Sequence, residues 1–241
     1  MTVSPELQRQ ADDVRKRLAR AIPTPVVELD HANAWQLLMA TILSAQSTDK
    51  KINEVTPLLF ARWPTPAALA AADPAEVEEV VKPTGFFRNK AKAIMGASRA
   101  IAERFGGEVP RTLDELVTLP GVARKTANVV LGSAYGIASG IVVDTHVTRV
   151  SRRLELAVSE SPVAIEQELM AVFPKKTWVA MGHRLVLHGR YVCKAKNPLC
   201  ARCPLNEICA AAQATPEIAK WTERAEWEKR LVESRGAVSD P

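Results

Sequence analysis

The chain has four cysteines in 241 residues, and all of them fall within one short stretch as Cys193-x6-Cys200-x2-Cys203-x5-Cys209. A disulfide framework would spread its bridges through a small secreted domain, so cysteines gathered like this read as a single metal site. Four thiolates satisfy either a tetrahedral zinc ion or a cubane iron–sulfur cluster. Zinc usually takes two close pairs, and here only Cys200 and Cys203 form one; the spacing also departs from the ferredoxin runs, so ligand chemistry alone leaves the metal open. Arg190, Lys194, Lys196 and Arg202 lie in the same stretch. They offset the negative charge of the thiolates and make the loop a candidate grip for phosphates.

A second constellation lies upstream, in Leu119-Pro120-Gly121-Val122-Ala123-Arg124-Lys125 and in Val142-Val143-Asp144-Thr145-His146. Proline fixes one backbone angle and glycine permits a positive one, so the chain reverses sharply at 120–121. A turn of small residues at a helix start leaves amide N–H groups for an anion, and the helix dipole adds partial positive charge. Lys125 falls in the first turn of that helix, where the dipole disfavours an ammonium group, as an amine nucleophile requires. Asp144 ends an apolar run and stands ready to face whatever the turn holds. The plainer roles are a phosphate clamp for Lys125 and a helix N-cap for Asp144, and spacing by itself does not separate these from catalysis.

The elements that position these residues are helical. Thr112 and Glu115 stand at capping-box spacing before Leu116 and Leu119, and 125–134 is apolar and small over about three turns, which makes a helix-hairpin-helix over about 112–135. Before it, the pattern predicts helices from Pro5 with Ser4 as cap, from Asn33 to Leu43, over Asp49 to Trp63 with Pro57 kinking or dividing it, over Ala67 to Ala72, from Pro74 to Val81 with Asp73 as cap, and from Ala91 to Phe105 with Gly106-Gly107 as stop. Lys82-Pro83-Thr84-Gly85 is a turn that exposes Phe86 and Phe87 ahead of Arg88, Asn89, Lys90 and Lys92. Aromatics beside cations suit duplex contact, and two aromatics packed under a turn is the competing reading. After Asp144, helices follow to Leu154, from a Ser161 cap to Phe173, and from Trp178 to His188. Only Ile141 to Val143 is strand-like, too short to found a sheet. The fold class expected is all-α, with about ten helices.

LPGVARKTANVV at 119–130 with VDTH at 143–146, LSAQSTD at 43–49, HGRYVC at 188–193 and the cysteine pattern resemble the helix-hairpin-helix DNA glycosylases, the endonuclease III family in particular, from about Ala21 to Cys209. The resemblance implies two helical lobes: a six-helix lobe over 28–140 carrying the hairpin, and a lobe of 1–27 plus 141–209 carrying the cysteine loop, with DNA across the cleft between them and 210–241 as a C-terminal extension. It also implies a 4Fe-4S cluster on Cys193, Cys200, Cys203 and Cys209. Lys125 matches the lysine that attacks C1′ of the damaged nucleotide, and Asp144 the assisting aspartate. Gly121, Ala123, Arg124, Arg190, Lys194 and Lys196 would contact the DNA backbone. Gln46 and Phe86 match positions that enter the duplex, where the family more usually has an aliphatic residue at Phe86; Asp49 and His146 match positions near the damaged base. A buried Gln at a helix end and a capping Asp are the plainer readings of Gln46 and Asp49. Ala123 replaces the usual glycine, and its methyl group is expected to weaken DNA binding.

The function implied is a bifunctional DNA glycosylase and AP lyase of base excision repair, acting on double-stranded DNA with oxidised pyrimidines or abasic sites. The alternative is a non-catalytic helix-hairpin-helix DNA-binding protein with the same iron–sulfur site. Lysine plus arginine exceed aspartate plus glutamate by 32 to 27, for a net charge of +5. That favours a polyanionic partner and leaves binding to local patches. No run approaches a membrane span or a secretory h-region, so the expectation is an intracellular, nucleoid-associated protein without membrane contact, and the resemblance implies a monomer. The tail, with Trp221 and Trp227, reads as a docked helix followed by a frayed end.

Overall fold

A computed structural model describes residues 3–214. The expectation for Trp221 and Trp227 lies outside the described residues. Among the described residues there are helices, turns and irregular chain, with no strand. Ile141, Val142 and Val143 are buried in irregular chain, without a partner strand among the described residues. The α-helices are α1 (Pro5–Ala21), α2 (Ala34–Leu43), α3 (Asp49–Arg62), α4 (Pro66–Ala70), α5 (Pro74–Val81), α6 (Phe87–Arg104), α7 (Leu113–Leu116), α8 (Arg124–Tyr135), α9 (Thr145–Arg153), α10 (Pro162–Val172), α11 (Trp178–Tyr191) and α12 (Ala210–Ala214).

The chain divides into two compact units. Val27–Ser139 forms a central unit, and the described residues on either side of it form a terminal unit.

In the central unit α2 is apolar almost all round, and eight of its ten residues are buried. A helix of that kind must be enclosed, and α3, α6 and α8 pack on it. Asn33 caps it by accepting from the Gln36 N–H. Helix α3 runs undivided through Pro57. Ile52 and Val55 before the proline and Leu59 after it are all buried, so core packing keeps the helix continuous despite the lost backbone bond. Its cap is Thr48, which accepts from Lys51 N–H; Asp49 is the first-turn acid that follows, so the capping reading of Asp49 does not hold. Helix α6 starts four residues earlier than its apolar pattern suggests, at Phe87.

The hairpin is seated on α6 through small residues. A Cβ on Gly96 would lie 3.2 Å from Pro120, and one on Gly121 would lie 2.8 Å from Ala93 Cβ and 3.3 Å from Ile42. Gly121 also has φ +76, so glycine is required there twice, by backbone conformation and by contact. Gly121→Ala is expected to cost about 2–3 kcal/mol of stability, read as a lowered urea midpoint with unchanged m. An unchanged midpoint would mean that the turn can shift off α6.

In the terminal unit, α1 buries Ala11, Val14 and Leu18 among residues of α9, α10 and α11. Ser4 caps α1, whereas Ser161 stands at the start of α10 without a side-chain cap bond. Two glycines of α11 set its packing. A Cβ on Gly182 would come 3.1 Å from Val142 N, and one on Gly189 would come 2.8 Å from His146 Cβ. The segment carrying Asp144 and His146 therefore lies directly against α11.

Candidate functional site

Of the residues singled out, the central unit holds Gln46, Asp49, Phe86, Gly121, Ala123, Arg124 and Lys125; the terminal unit holds Asp144, His146, Arg190, Lys194, Lys196 and the four cysteines.

In the central unit, Thr112 caps α7 and closes a capping box with Glu115: its hydroxyl donates to Glu115 Oε2 at 2.6 Å and accepts from Glu115 N–H at 3.3 Å. Leu119 N–H and Val122 N–H then bond Leu116 and Leu119 carbonyls, and α8 begins. Its N-cap is Ala123, which has no side chain to bond the first-turn amides. Ala123 has φ −89 and ψ 168, an extended conformation that any residue adopts, so glycine is not needed there for the backbone. Lys125 is exposed in the first turn. Gly136, at φ 67, ends α8 with Ile137 N–H bonding Leu131 O at 2.9 Å, which fixes the helix length.

Gln46 and Phe86 share an unusual feature. Both are exposed, and both have left-handed backbones, at φ 53 and φ 48. Non-glycine residues are held in that region only where the surroundings over-determine them. Gln46 leaves the end of α2, exposed rather than buried, so the buried-Gln reading is set aside. At the second turn the two aromatics part: Phe87 packs on the core, with the Arg88 guanidinium 4.9 Å from its ring centroid, while Phe86 is 65% exposed. Lys90, grouped in the sequence with the outward cations, is buried.

In the terminal unit, Asp144 is the N-cap of α9, with Oδ1 accepting from His146 N–H at 2.8 Å and Val147 N–H at 2.9 Å. Both bonds fall on one oxygen, so capping occupies half of the carboxylate. His146 Nδ1 lies 3.1 Å from Arg149 Nη2. A guanidinium only donates, so Nδ1 is the acceptor and the ring proton sits on Nε2. Burial pulls the His146 pKa below its ordinary value, with Arg149 and Arg190 adding to the shift and Asp144 opposing it.

Sequence reasoning gave Arg149 and Arg153 no role beyond their place in a helix. Arg149 donates to Gly189 O at 2.7 Å and to Cys193 O at 3.0 Å. Arg153 donates to Cys193 Sγ at 3.3 Å, Lys194 O at 2.8 Å and Ala195 O at 3.2 Å. The helix that Asp144 caps is thus tied directly to the start of the cysteine loop. One cation touching a cysteine sulfur is Arg153, which lies outside the loop, and Lys196 is exposed.

Cys193, Cys200, Cys203 and Cys209 line one cavity of about 220 Å³ with Leu199 and Leu205 among its walls. Burial, reinforced by the neighbouring sulfurs, pushes the Cys203 thiol up to about 12 and the Cys200 thiol up to about 11. Such a set ionises together only around a metal centre. Among the described residues no three His, Cys, Asp or Glu side chains converge as they would on one ion. Zinc needs sulfurs within about 2.3 Å of a single point, whereas four sulfurs around a cavity suit a polynuclear cluster. His188 Nε2 and Leu205 N–H approach Cys203 Sγ at 3.5 and 3.4 Å, adding polar contacts to its sulfur.

Residues 39–175 match the model of the HhH-GPD superfamily of base excision DNA repair proteins, and residues 193–209 match the iron–sulfur binding domain of endonuclease III. An endonuclease III from Synechocystis is 50% identical over 208 residues, covering 86% of this chain and 95% of that one. The chain belongs to the endonuclease III family. Two solved structures of family members superpose on it: an endonuclease III–DNA non-covalent complex (TM-score 0.82, 40% identity, 89% of this chain and 98% of that one), and a trapped endonuclease III–DNA covalent intermediate (TM-score 0.80, 40% identity, 89% and 99%). As a family member the protein is a base excision repair enzyme, a DNA glycosylase and AP lyase, with a 4Fe-4S cluster as its cofactor. No helix among the described residues is long and apolar enough to cross a membrane.

Proposed function

We propose that the protein removes oxidised pyrimidines from duplex DNA and cuts the strand at the abasic site, with Lys125 as nucleophile and Asp144 as its charged partner. The observation that carries this reading is Lys125 itself, an exposed amine in the first turn of α8 directly after a hairpin whose N-cap has no capping side chain. The hairpin amides around Gly121 and Ala123, with Arg124, hold a backbone phosphate. The damaged nucleotide leaves the stack at a cost of a few kcal/mol, smaller for a damaged base, while Gln46 and Phe86 enter the duplex and Asp49 and His146 contact the base. The neutral Lys125 amine attacks C1′ as the bond from C1′ to the base breaks, and Asp144 stabilises the positive charge developing on the sugar or takes a proton from the amine. The nitrogen lone pair of the resulting C1′ amine then opens the sugar ring, breaking C1′–O4′ as O4′ takes up a proton, and leaves a protonated Schiff base. Its iminium acidifies the C2′ proton; removing that proton expels the 3′ phosphate from C3′. A Schiff base on Lys125 also explains why one residue serves both base removal and strand cleavage.

The four cysteines hold the cluster, which supplies a fixed cross-link rather than a reacting group, and so keeps Arg190, Lys194 and Lys196 placed for phosphates. The protein acts as a monomer in the cytoplasm, at the nucleoid where its substrate is.

The test is incubation with a duplex carrying one thymine glycol, followed by borohydride. A covalent protein–DNA band is the expected result. A band with an abasic duplex only would leave a lyase without this base specificity, and no band with either would favour the non-catalytic DNA-binding reading. Asp144 is tested apart from its capping role. Asp144→Asn keeps a side-chain oxygen for the α9 amides but removes the charge, and is expected to slow single-turnover excision by about 10²-fold or more with little change in Tm. Asp144→Ala should lose about 1 kcal/mol of stability in addition. Equal rates for the wild type and the Asn variant would confine Asp144 to the cap.

A further inference from the structure

Lys90 is 6% exposed, on the side of α6 that also buries Ile94, Ala97 and Ile101. A lysine in such a stripe is an odd choice, because an apolar residue of similar length would pack there without desolvating a charge. Burial lowers its pKa below the ordinary lysine value. Its Nζ donates to Thr84 O at 2.7 Å, the one bond of that ammonium to a protein atom among the described residues.

That bond closes a small ring of chain. Thr84 is itself buried, and its hydroxyl donates to Val81 O at 2.7 Å. Gly85 and Phe86 follow at φ +73 and φ +48, and of these two positive-φ residues Phe86, with ψ 32, is in the left-handed helical region. At the far side Lys90 N–H bonds Phe86 O at 3.1 Å. Lys90 therefore grips the chain on both sides of the strained pair, by its side chain before Gly85 and by its backbone after Phe86. Left-handed φ at phenylalanine is unfavourable and needs such an anchor. The outcome is Phe86, 65% exposed as a residue, at the end of a loop held on both sides.

We propose that Lys90 is a positioning residue for strand opening: its buried ammonium, bonded to the Thr84 carbonyl, holds Phe86 out and ready to occupy the space a flipped nucleotide vacates. This rests on the reading that Phe86 enters the duplex. Preorganisation of this kind acts on the rate of base extrusion and excision more than on the gross affinity for DNA, which phosphate contacts dominate.

The experiment is a double-mutant cycle on the full-length holoprotein, with Phe86→Ala, Lys90→Met and the pair. Single-turnover excision from a thymine-glycol duplex is the rate readout; fluorescence of 2-aminopurine opposite the lesion reports what enters the stack. Phe86→Ala and Lys90→Met are each expected to slow excision by about tenfold or more, with nonspecific DNA affinity within about twofold. The double variant should be no slower than Phe86→Ala, since Lys90 acts through Phe86. A general structural role would instead multiply the two losses, and that result, or a silent Lys90→Met beside a slow Phe86→Ala, overturns the inference. A silent Phe86→Ala would show that the duplex-entry reading has failed first, and the Lys90 inference with it. Should Lys90→Met not fold, Lys90→Gln, shorter and uncharged, takes its place in the same cycle.

Discussion

Lys125→Gln is expected to abolish the borohydride-trapped adduct with thymine-glycol and abasic duplexes alike, and to lower β-elimination by at least roughly a thousandfold. No neighbouring amine follows in the first turn of α8, where Arg124 and Thr126 flank the lysine, so the turn offers no substitute nucleophile. Folding should be unaffected: the side chain is exposed, and glutamine is as good a helix former. DNA affinity should fall only modestly, by the loss of one cation, because the hairpin amides remain. The result is informative because the two other roles for a cation at this place predict different losses. A phosphate clamp loses affinity with a shallower salt slope, and its adduct persists with another amine. A nucleophile loses the adduct and keeps the affinity. A trapped band surviving in Lys125→Gln would remove Lys125 from the chemistry and send the search to other exposed amines.

Most helices were legible because their signals are local. Ser4-Pro5 and Asp73-Pro74 each announce a start, and Ser4 and Asp73 accept capping bonds as that pattern requires. The all-helical class followed from these and from the isolation of Ile141 to Val143. The division that Pro57 allows does not occur, because a proline rule is local while the continuity of α3 is decided by Ile52, Val55 and Leu59 in the core. The placement of Lys125 in the first turn of α8 could be read from Pro120-Gly121, but its chemistry could not: a clamp and a nucleophile have the same spacing, and only the resemblance of whole motifs separated them. Asp144 is a cap in fact, and the sequence could not say that one oxygen of it suffices.

Arg149 was beyond reach for a different reason. Its bond to Cys193 O joins residues 44 apart, and nothing in either neighbourhood marks the other. Lys90, in contrast, left a signal that was passed over. Grouped by composition with Arg88 and Lys92 it looks like a solvated cation, but by helical phase it stands four residues before Ile94 and seven before Ala97, on the apolar stripe.

Cys203→Ser is expected to remove the visible iron–sulfur absorption and to lower Tm by roughly 10–20 °C. Apart from the cluster, the loop is tied down by Arg149 and Arg153 at its start and by Arg17 at Pro204 O and Glu207. It is built from two three-residue 3-10 turns, Cys200–Arg202 and Asn206–Ile208, with Leu199 and Leu205 as its buried apolar anchors. The four sulfurs line a space of about 220 Å³ that the cluster would fill. Serine matches cysteine in size, so the loss is of a thiolate ligand rather than of volume. Cys203 is also the sulfur met by His188 and Leu205, so its release frees the loop where it is most deeply anchored. DNA binding should weaken with it, because Lys194 and Lys196 are carried on the same loop. Lys196→Ala separates the two effects: the side chain is exposed, so the absorption band and Tm should hold while affinity drops and the salt slope decreases by about one. A Cys203→Ser protein that keeps its colour and its Tm would mean that three sulfurs suffice. The loop would then be held by Arg149 and Arg153 at Cys193, Lys194 and Ala195, by Arg17 at Pro204 O and Glu207, and by the Arg153 carbonyl, which Cys209 Sγ meets at 3.5 Å.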